Sequence, residues 1–232
     1  MVNKTIAIIC ARGGSKRIPN KNIIDFYGKP LISWTIESAI KTNLFDKIIV
    51  STDSPEIAEI SIIAGAEIPF LRDNYFDDLS PVSTVICDTL EKLKIRYNQE
   101  YENVVHLMPN CPIRNAIDIT NSYNNFLDKN YNFQLSCFEF GWMNPWWSFK
   151  LNDEKTIPLF PDALKKRSQD LETLFCPTGA IWIAKIKNLL NEKTFYGNDF
   201  KLYPIPWKSA VDIDNYEDLE MAKAIYLLNK NN

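Results

Sequence analysis

Histidine is almost missing from this chain: His106 is the only one in 232 residues. A Ser-His-Asp triad or a metal site built from several imidazoles would have to rest on that single residue, which argues against both chemistries. Cysteines are few and scattered: Cys10, Cys87, Cys111, Cys137 and Cys176 form no C-x-x-C pair and no compact disulfide spacing. Free thiols in a reducing cytoplasm fit that pattern. No apolar run approaches the roughly 20 residues that a membrane-spanning helix needs. The apolar stretch behind Met1-Val2-Asn3-Lys4 is too brief for a signal peptide and has no small-residue cleavage site, so a cytoplasmic location is expected. Surplus charge is missing as well. With 26 Lys and Arg against 29 Asp and Glu, the formal net charge of -3 gives no general attraction to nucleic acid or an acidic membrane. Any phosphate binding must be local. Internal repeats and low-complexity segments are also absent.

What is present can bury a core: 46% of residues are hydrophobic and 24% charged, so one domain over residues 1–232 is expected. Ile6, Ala7, Ile8 and Ile9 run continuously, as in a strand covered on both faces. Pro30 suits a first helical position, and Leu31, Ile32, Thr35, Ala39 and Ile40 follow at helical spacing up to Asn43. A strand is expected at Lys47–Ser51, and Ser54-Pro55 opens a second helix that runs to Gly65. Ser80-Pro81 opens a third, with Val82, Val85, Ile86, Thr89, Leu90 and Leu93 on one face. Residues 104–108 read as another buried strand, closed by Pro109 and Pro112, and a helix follows over residues 116–127. This alternation predicts an α/β fold with a mostly parallel sheet, helices on both faces, and ligands at the carboxyl ends of the strands. Near residue 132 the pattern changes. Residues 134–140 alternate like a strand, and the run Trp142-Met143-Asn144-Pro145-Trp146-Trp147 marks an inserted lobe at about residues 136–176. Strands are expected again at residues 178–184 and 202–207, and an amphipathic helix over residues 215–228.

The sharpest signal follows the first strand: Ala11-Arg12-Gly13-Gly14-Ser15-Lys16-Arg17-Ile18-Pro19-Asn20-Lys21-Asn22. Paired glycines would let consecutive N–H groups converge on phosphate oxygens, while Arg12, Lys16, Arg17 and Lys21 supply positive charge. The loop is not a Walker A motif, because Arg17 follows Lys16 where Ser or Thr should stand, and it is not G-x-G-x-x-G. A solvated basic turn is the plain alternative. Asp212 and Asp214 alternate with Val211 and Ile213, so in an extended segment both carboxylates share one side and could hold Mg²⁺. Asp214-Asn215-Tyr216-Glu217 also has the spacing of a capping box for the last helix. His106 reads most simply as a hydrogen-bonded core residue.

The loop sequence resembles the opening motif of the acylneuraminate cytidylyltransferases, which make CMP-activated nine-carbon ulosonic acids. The resemblance continues at Ile49-Val50-Ser51-Thr52-Asp53, Phe70-Leu71-Arg72, Pro109-Asn110-Cys111-Pro112-Ile113-Arg114, Arg167-Ser168-Gln169-Asp170-Leu171, Thr178-Gly179-Ala180-Ile181 and Asp212-Ile213-Asp214. It implies a three-layer nucleotide-diphospho-sugar transferase-like fold whose small inserted lobe mediates dimerisation. It also implies CTP and a nonulosonic acid as substrates, Mg²⁺ on Asp212 and Asp214, and a homodimer in which that lobe reaches toward the partner's active site. Arg12 and Lys21 would be catalytic, neutralising charge on the α-phosphate and the leaving pyrophosphate. Ala11, Gly13, Gly14, Ser15, Lys16 and Asn22 would join them in holding the nucleotide, with Arg72 and Ser80 near the base. Ser80 could equally cap the third helix. Met108, Arg167, Gln169, Asp170 and Thr178 would face the sugar, Arg167 pairing with a carboxylate, although residues 165–167 also suit a solvated surface. Trp142, Trp146 and Trp147 could line the sugar pocket, the dimer contact or the lobe's core.

The chain also departs from the family pattern. Sialic-acid members usually carry Gln where Met108 stands and Asn where Thr178 stands, and a thioether cannot make an amide's hydrogen bonds. Arg-Ser-Gln-Asp-Leu looks more like the pseudaminate branch, which typically has His-Asp-Ala-Gly where this chain has Cys176-Pro177-Thr178-Gly179. Pseudaminic, legionaminic and N-acetylneuraminic acids all stay open as the sugar. A 3-deoxy-octulosonate cytidylyltransferase is a further reading, although its typical loop lacks Lys21-Asn22. A nucleotide-binding protein of the same fold without turnover is another.

Overall fold

A computed structural model of the chain describes residues 4–75 and 80–230. The first buried strand forms as β1 (Thr5–Cys10), with Ala7 and Ile9 packed on one face and Ile6 and Ile8 on the other. A short hairpin, β2 (Asp25–Phe26) and β3 (Lys29–Pro30), leads into α1 (Leu31–Thr42). Pro30 therefore occupies the cap position and pairs with Asp25, one residue before the first helical turn. Asn43 ends α1 in the left-handed region at φ 53°, a conformation that asparagine tolerates better than most residues.

After β4 (Lys47–Ser51), Ser54 caps α2 (Pro55–Ile63) by accepting a hydrogen bond from the Ile57 amide. Gly65, at φ +99°, supplies the turn beyond it. The third helix, α3 (Val82–Tyr97), has Pro81 at its cap position, so Ser80 is not its cap. Strand β5 (Asn103–His106) is shorter than the apolar run of residues 104–108, because the chain leaves the ladder before Met108. Next come α4 (Ala116–Asp128), opened by an Asn115/Asp118 capping box, and β6 (Phe133–Glu139). A small hairpin, β7 (Phe149–Asn152) and β8 (Lys155–Pro158), lies outside the main sheet, and β9 (Phe175–Lys185), α5 (Ile186–Glu192), β10 (Lys201–Pro204) and α6 (Tyr216–Lys230) complete the order.

The six-stranded sheet runs β10-β6-β9-β5-β1-β4. Every pairing is parallel except those of β9, which lies antiparallel to both β5 and β6. Helices α1, α2 and α4 cover one face through Ile36, Ile57 and Phe126, and α3 and α5 cover the other through Ile86, Leu90 and Leu189. The layers are those expected of an α/β nucleotide-binding fold, with one reversed strand inside the sheet. A third cluster packs α6 against the β2–β3 hairpin through Phe26, Leu219 and Ile225. Because β6 and β9 both belong to the sheet, the segment outside it is residues 140–174.

The register between β6 and β9 shifts between Leu135 and Cys137. The buried Ser136 hydroxyl sits at the irregularity, donating to the Thr178 carbonyl at 3.1 Å and accepting from the Ile181 amide at 2.9 Å. Here Gly179 cannot be replaced without movement: a Cβ would lie 2.0 Å from the Met108 sulfur. The sheet thus brings Met108 directly against β9.

Candidate functional site

A cavity of about 420 Å³ opens at the carboxyl ends of β1 and β5. The strand ends contribute Cys10 and His106, the turn after β5 contributes Met108, and Val82 enters from the start of α3. The loop after β1 contributes Arg12, Ser15, Lys16 and Arg17, while Lys21, Asn110 and Asp214 close the other side. Cations from one short loop therefore share a cavity with a carboxylate that lies 193 residues beyond Lys21.

Gly13 plays a different part from the one the glycine pair implied. Neither glycine has a positive φ among the described residues, and the Gly13 amide donates to Asp53 Oδ1 at 3.0 Å, so it is already committed. Gly13 is needed for close approach: a Cβ there would meet the Ser54 Cβ at 3.2 Å. Gly14 has open space around it. Ala11 is fully buried, its amide bonded to the Ser51 carbonyl at 3.0 Å, and belongs to the core. Asn22 is buried and holds the loop from beneath, donating to the Arg12 carbonyl at 2.9 Å. Side chains, more than the glycine amides, present the positive charge.

Arg72 lies under this loop rather than along the cavity. Its amide donates to the Thr52 carbonyl at 2.7 Å, and Nη2 stands 3.5 Å from Asp53 Oδ1, so Asp53 joins Arg72 to the Gly13 amide. The Arg72 side chain is almost wholly buried, and its Nε and Nη2 have no hydrogen-bond partner among the described residues. Ser80 stands before Pro81, next to the cavity-lining Val82.

The acidic pair has the expected alternation, with Val211 and Ile213 buried and both aspartates partly exposed. Lys21 donates to Asp214 Oδ1 at 2.9 Å and to the Ile213 carbonyl at 2.8 Å, and Arg17 pairs with Asp214 Oδ2 at 2.7 Å. Asn110 donates to Asp212 Oδ1 and, at 3.0 Å, to the Ile213 carbonyl. Burial, then the neighbouring Asp214 charge, pushes Asp212 up to about 6. Burial also acts to raise Asp214, but the hydrogen bond and charge of Lys21, with those of Arg17, hold it below the usual carboxylate range. Asp214 is not the helix cap. That role falls to Asn215, whose Oδ1 accepts from the Asp218 amide at 3.0 Å while Asp218 Oδ2 accepts from the Asn215 amide at 3.0 Å. The capping box is one residue later than its sequence spacing indicated, and Asp214 keeps its carboxylate for charge.

Two hard carboxylates beside a cationic loop fit Mg²⁺, which commonly takes one or two carboxylates and fills its shell with phosphates and water. Two cationic side chains already drawn to Asp214 report the same negative field. No cluster of three or more His, Cys, Asp or Glu that could hold a metal ion forms among the described residues.

The residues expected at the sugar do not all converge. Met108 lines the cavity. Thr178 does not: it is buried, its hydroxyl donating to the Ala210 carbonyl at 3.3 Å and accepting from the Ala180 amide, which ties β9 to the segment before α6. Arg167 makes a two-pronged pair with Asp170, at 2.7 Å from Nε and 3.0 Å from Nη2, on an exposed turn away from this cavity. Asp170 and Gln169 line two other hollows, with Trp146 and Phe160 in one and Trp142 and Trp147 in the other. Trp146 packs edge-on against Phe160 at 5.0 Å and donates to the Glu172 carbonyl, whereas Trp142 is 87% exposed. Within one chain, the lobe's candidate residues and the phosphate loop are separate.

Other contributors carried weaker sequence signals. Asn110 sits in a Pro-Asn-Cys-Pro segment, and nothing local announced that it would meet Asp212 across 102 residues. Arg114, fully buried, clamps the site: Nη1 donates to the carbonyls of Met108 at 3.1 Å and Ala180 at 2.6 Å, and Nη2 donates to the Thr35 hydroxyl at 2.8 Å. Cys10 reaches the cavity, but burial pushes its thiol up to about 12, which excludes a thiolate nucleophile at neutral pH.

The sequence profile of the cytidylyltransferase family matches residues 6–129. A pseudaminic acid cytidylyltransferase of Campylobacter jejuni subsp. jejuni is 37% identical over 228 residues, covering 97% of each chain. A CMP-N,N'-diacetyllegionaminic acid synthase of Legionella pneumophila subsp. pneumophila is 29% identical, covering 98% of each. Among solved structures, a CMP:2-keto-3-deoxy-manno-octonic acid synthetase complexed with CTP superposes with a TM-score of 0.72 over 97% of this chain and 99% of that one, at 15% identity, a likeness of fold. The loop, the acidic pair and these likenesses agree: the chain belongs to the cytidylyltransferase family, enzymes that transfer a nucleotidyl group.

Proposed function

We propose that this enzyme joins CTP to a nonulosonic acid, giving a CMP-sugar and pyrophosphate. The anomeric hydroxyl attacks the α-phosphorus, a new P–O bond forms, and the bond to the pyrophosphate oxygen breaks. The observation that carries the reading is that the cationic loop and Asp214 face one cavity while Lys21 bridges them. Arg12, Lys16 and Lys21 neutralise the triphosphate, and Ser15 adds a hydroxyl at its edge. Nucleotidyl transfer asks mainly for such positioning and charge compensation. Asp212 and Asp214 would hold Mg²⁺, which would supply charge neutralisation at the phosphates. Lys21, now 2.9 Å from Asp214, would turn to phosphate oxygen, and Asn110, which donates to Asp212, would keep that carboxylate oriented.

Met108 supports an apolar contact with the sugar in place of an amide's hydrogen bonds, which favours an acid other than N-acetylneuraminic acid. The relatives named above for pseudaminic and legionaminic acids point the same way. Arg167, Gln169 and Asp170 serve the sugar from the partner chain of a homodimer, an arrangement consistent with their distance from this chain's own cavity. Pyrophosphate release from each of the four ribonucleoside triphosphates, with pseudaminic, legionaminic, N-acetylneuraminic and 3-deoxy-octulosonic acids, tests the proposal. Release with CTP and a nine-carbon acid is expected. Release only with the octulosonic acid, or CTP binding without release, would overturn it.

A further inference from the structure

His106 is 1% exposed and lies in a sheet strand, yet it lines the cavity beside Cys10, Val82 and Met108. Its ring is fixed on two sides. Nδ1 stands 3.0 Å from the Ile8 carbonyl oxygen on β1, and Trp182 and Phe195 pack against the ring with centroids at 5.7 and 6.4 Å. A carbonyl oxygen only accepts, so Nδ1 must carry the hydrogen. Burial, and then the nearby Arg114 charge, lowers the imidazole to about 4 against the opposing effect of the Ile8 bond, so the ring is neutral at physiological pH. Its other nitrogen, Nε2, is then a bare acceptor, and it is buried with no hydrogen-bond partner among the described residues. An unpaired buried acceptor is costly, and one carried by a side chain that lines a cavity is most simply explained by a ligand that satisfies it.

We propose that His106 is a substrate-binding residue: a neutral imidazole, its tautomer set by Ile8, whose Nε2 accepts a hydrogen bond from an N–H or O–H group of a substrate in the cavity. Two sources carry that chemistry, the exocyclic amine of the cytosine base and a hydroxyl or amide of the acid. The identity of these ligands rests on the function proposed above; the tautomer and the bare acceptor do not.

Because the chain has one histidine, selective ¹⁵N-histidine labelling gives one imidazole to observe. The free enzyme should show a protonated Nδ1 and an unprotonated Nε2. Saturating CTP, or the acid, should move the Nε2 resonance and leave Nδ1 in place. Backbone amides of residues 12–17 report binding separately, so a wrong choice of substrate is distinguished from a wrong role for His106. A protonated Nε2 in the free enzyme, or an Nε2 signal unmoved by both bound ligands, would overturn the proposal.

Kinetics add a second arm. Asn in place of His106 keeps a donor near Nδ1 but has nothing at Nε2, whereas Gln can place its carbonyl there. His106→Asn should raise KM for one substrate about three- to tenfold, the scale of one neutral hydrogen bond, with a smaller change in kcat. His106→Gln should restore it in part. If the base is the donor, His106→Asn also narrows the preference for CTP over UTP; if the acid is, the KM of the acid alone moves. Unchanged KM for both substrates would contradict the role.

Discussion

Asp214 stands between Arg17 and Lys21, and its half-exposed carboxylate holds both at hydrogen-bond distance. Pairs that accessible to solvent add little stability, typically below about 1 kcal/mol. In the proposed reaction their value lies in placing charge where the triphosphate and Mg²⁺ would bind. Asp214→Asn should therefore leave thermal unfolding nearly unchanged while lowering turnover at least about tenfold at limiting Mg²⁺. Asn215 and Asp218 cap α6 without it. A large fall in Tm with normal activity would reverse that assignment. His106 gives a prediction about pH. Its native value, about 4, lies below the ordinary 6.5, so between these values the unfolded chain binds the proton and the native chain does not. Its contribution is complete above pH 6.5 and is lost as pH falls toward 4. Asp212, raised to about 6, acts with the opposite sign over much of that window, so wild-type stability alone would hide the effect. The difference in unfolding free energy between wild type and His106→Asn removes the shared Asp212 contribution. It should shrink by on the order of 3 kcal/mol from pH 7 to pH 4 in urea titrations. A difference independent of pH would mean that His106 titrates normally in the fold.

At the scale of elements, Arg114 fastens the turn after β5 to β9 and α1, and no acidic partner forms an ion pair with it among the described residues; carbonyls and the Thr35 hydroxyl take its Nη1 and Nη2 donors, and its buried Nε has no hydrogen-bond partner among those residues. Arg114→Met should cost roughly 2–4 kcal/mol, because the buried Ala180 carbonyl loses the guanidinium donor and the Met108 carbonyl keeps only the Thr35 hydroxyl. Equilibrium denaturation measures the loss, and a change below 1 kcal/mol would show that the clamp is dispensable. Elements governed by local pattern were legible in the sequence. The apolar run of β1, the periodicity of α3 and the Ser54-Pro55 start of α2 each follow from residues a few positions apart. Contacts between distant segments were not. Nothing near Thr178 says that β9 runs against its neighbours or that its hydroxyl is spent on Ala210. Gly13 showed its small size but not the Asp53 carboxylate that takes its amide. Asn215 and Asp218 displaced an equally spaced pair one residue earlier, a choice that helix geometry makes and sequence spacing cannot.

For the whole molecule, the segment of residues 140–174 carries apolar side chains that the rest of the chain leaves uncovered, including Trp142, Leu151 at 77% exposure, and Leu159. Light scattering coupled to size exclusion should give twice the chain mass, and charged substitutions at Trp142 and Leu151 together should halve it. A monomeric wild type would contradict the proposed homodimer. The central claim joins the two ends of the chain in one reaction: the loop after β1 and the carboxylates before α6 act together on a triphosphate. Pyrophosphate release by Lys21→Ala, with CTP, Mg²⁺ and a nonulosonic acid beside the wild type, tests it most directly. The account predicts near-complete loss of release from a protein that unfolds at close to the wild-type temperature. An unchanged rate would contradict it.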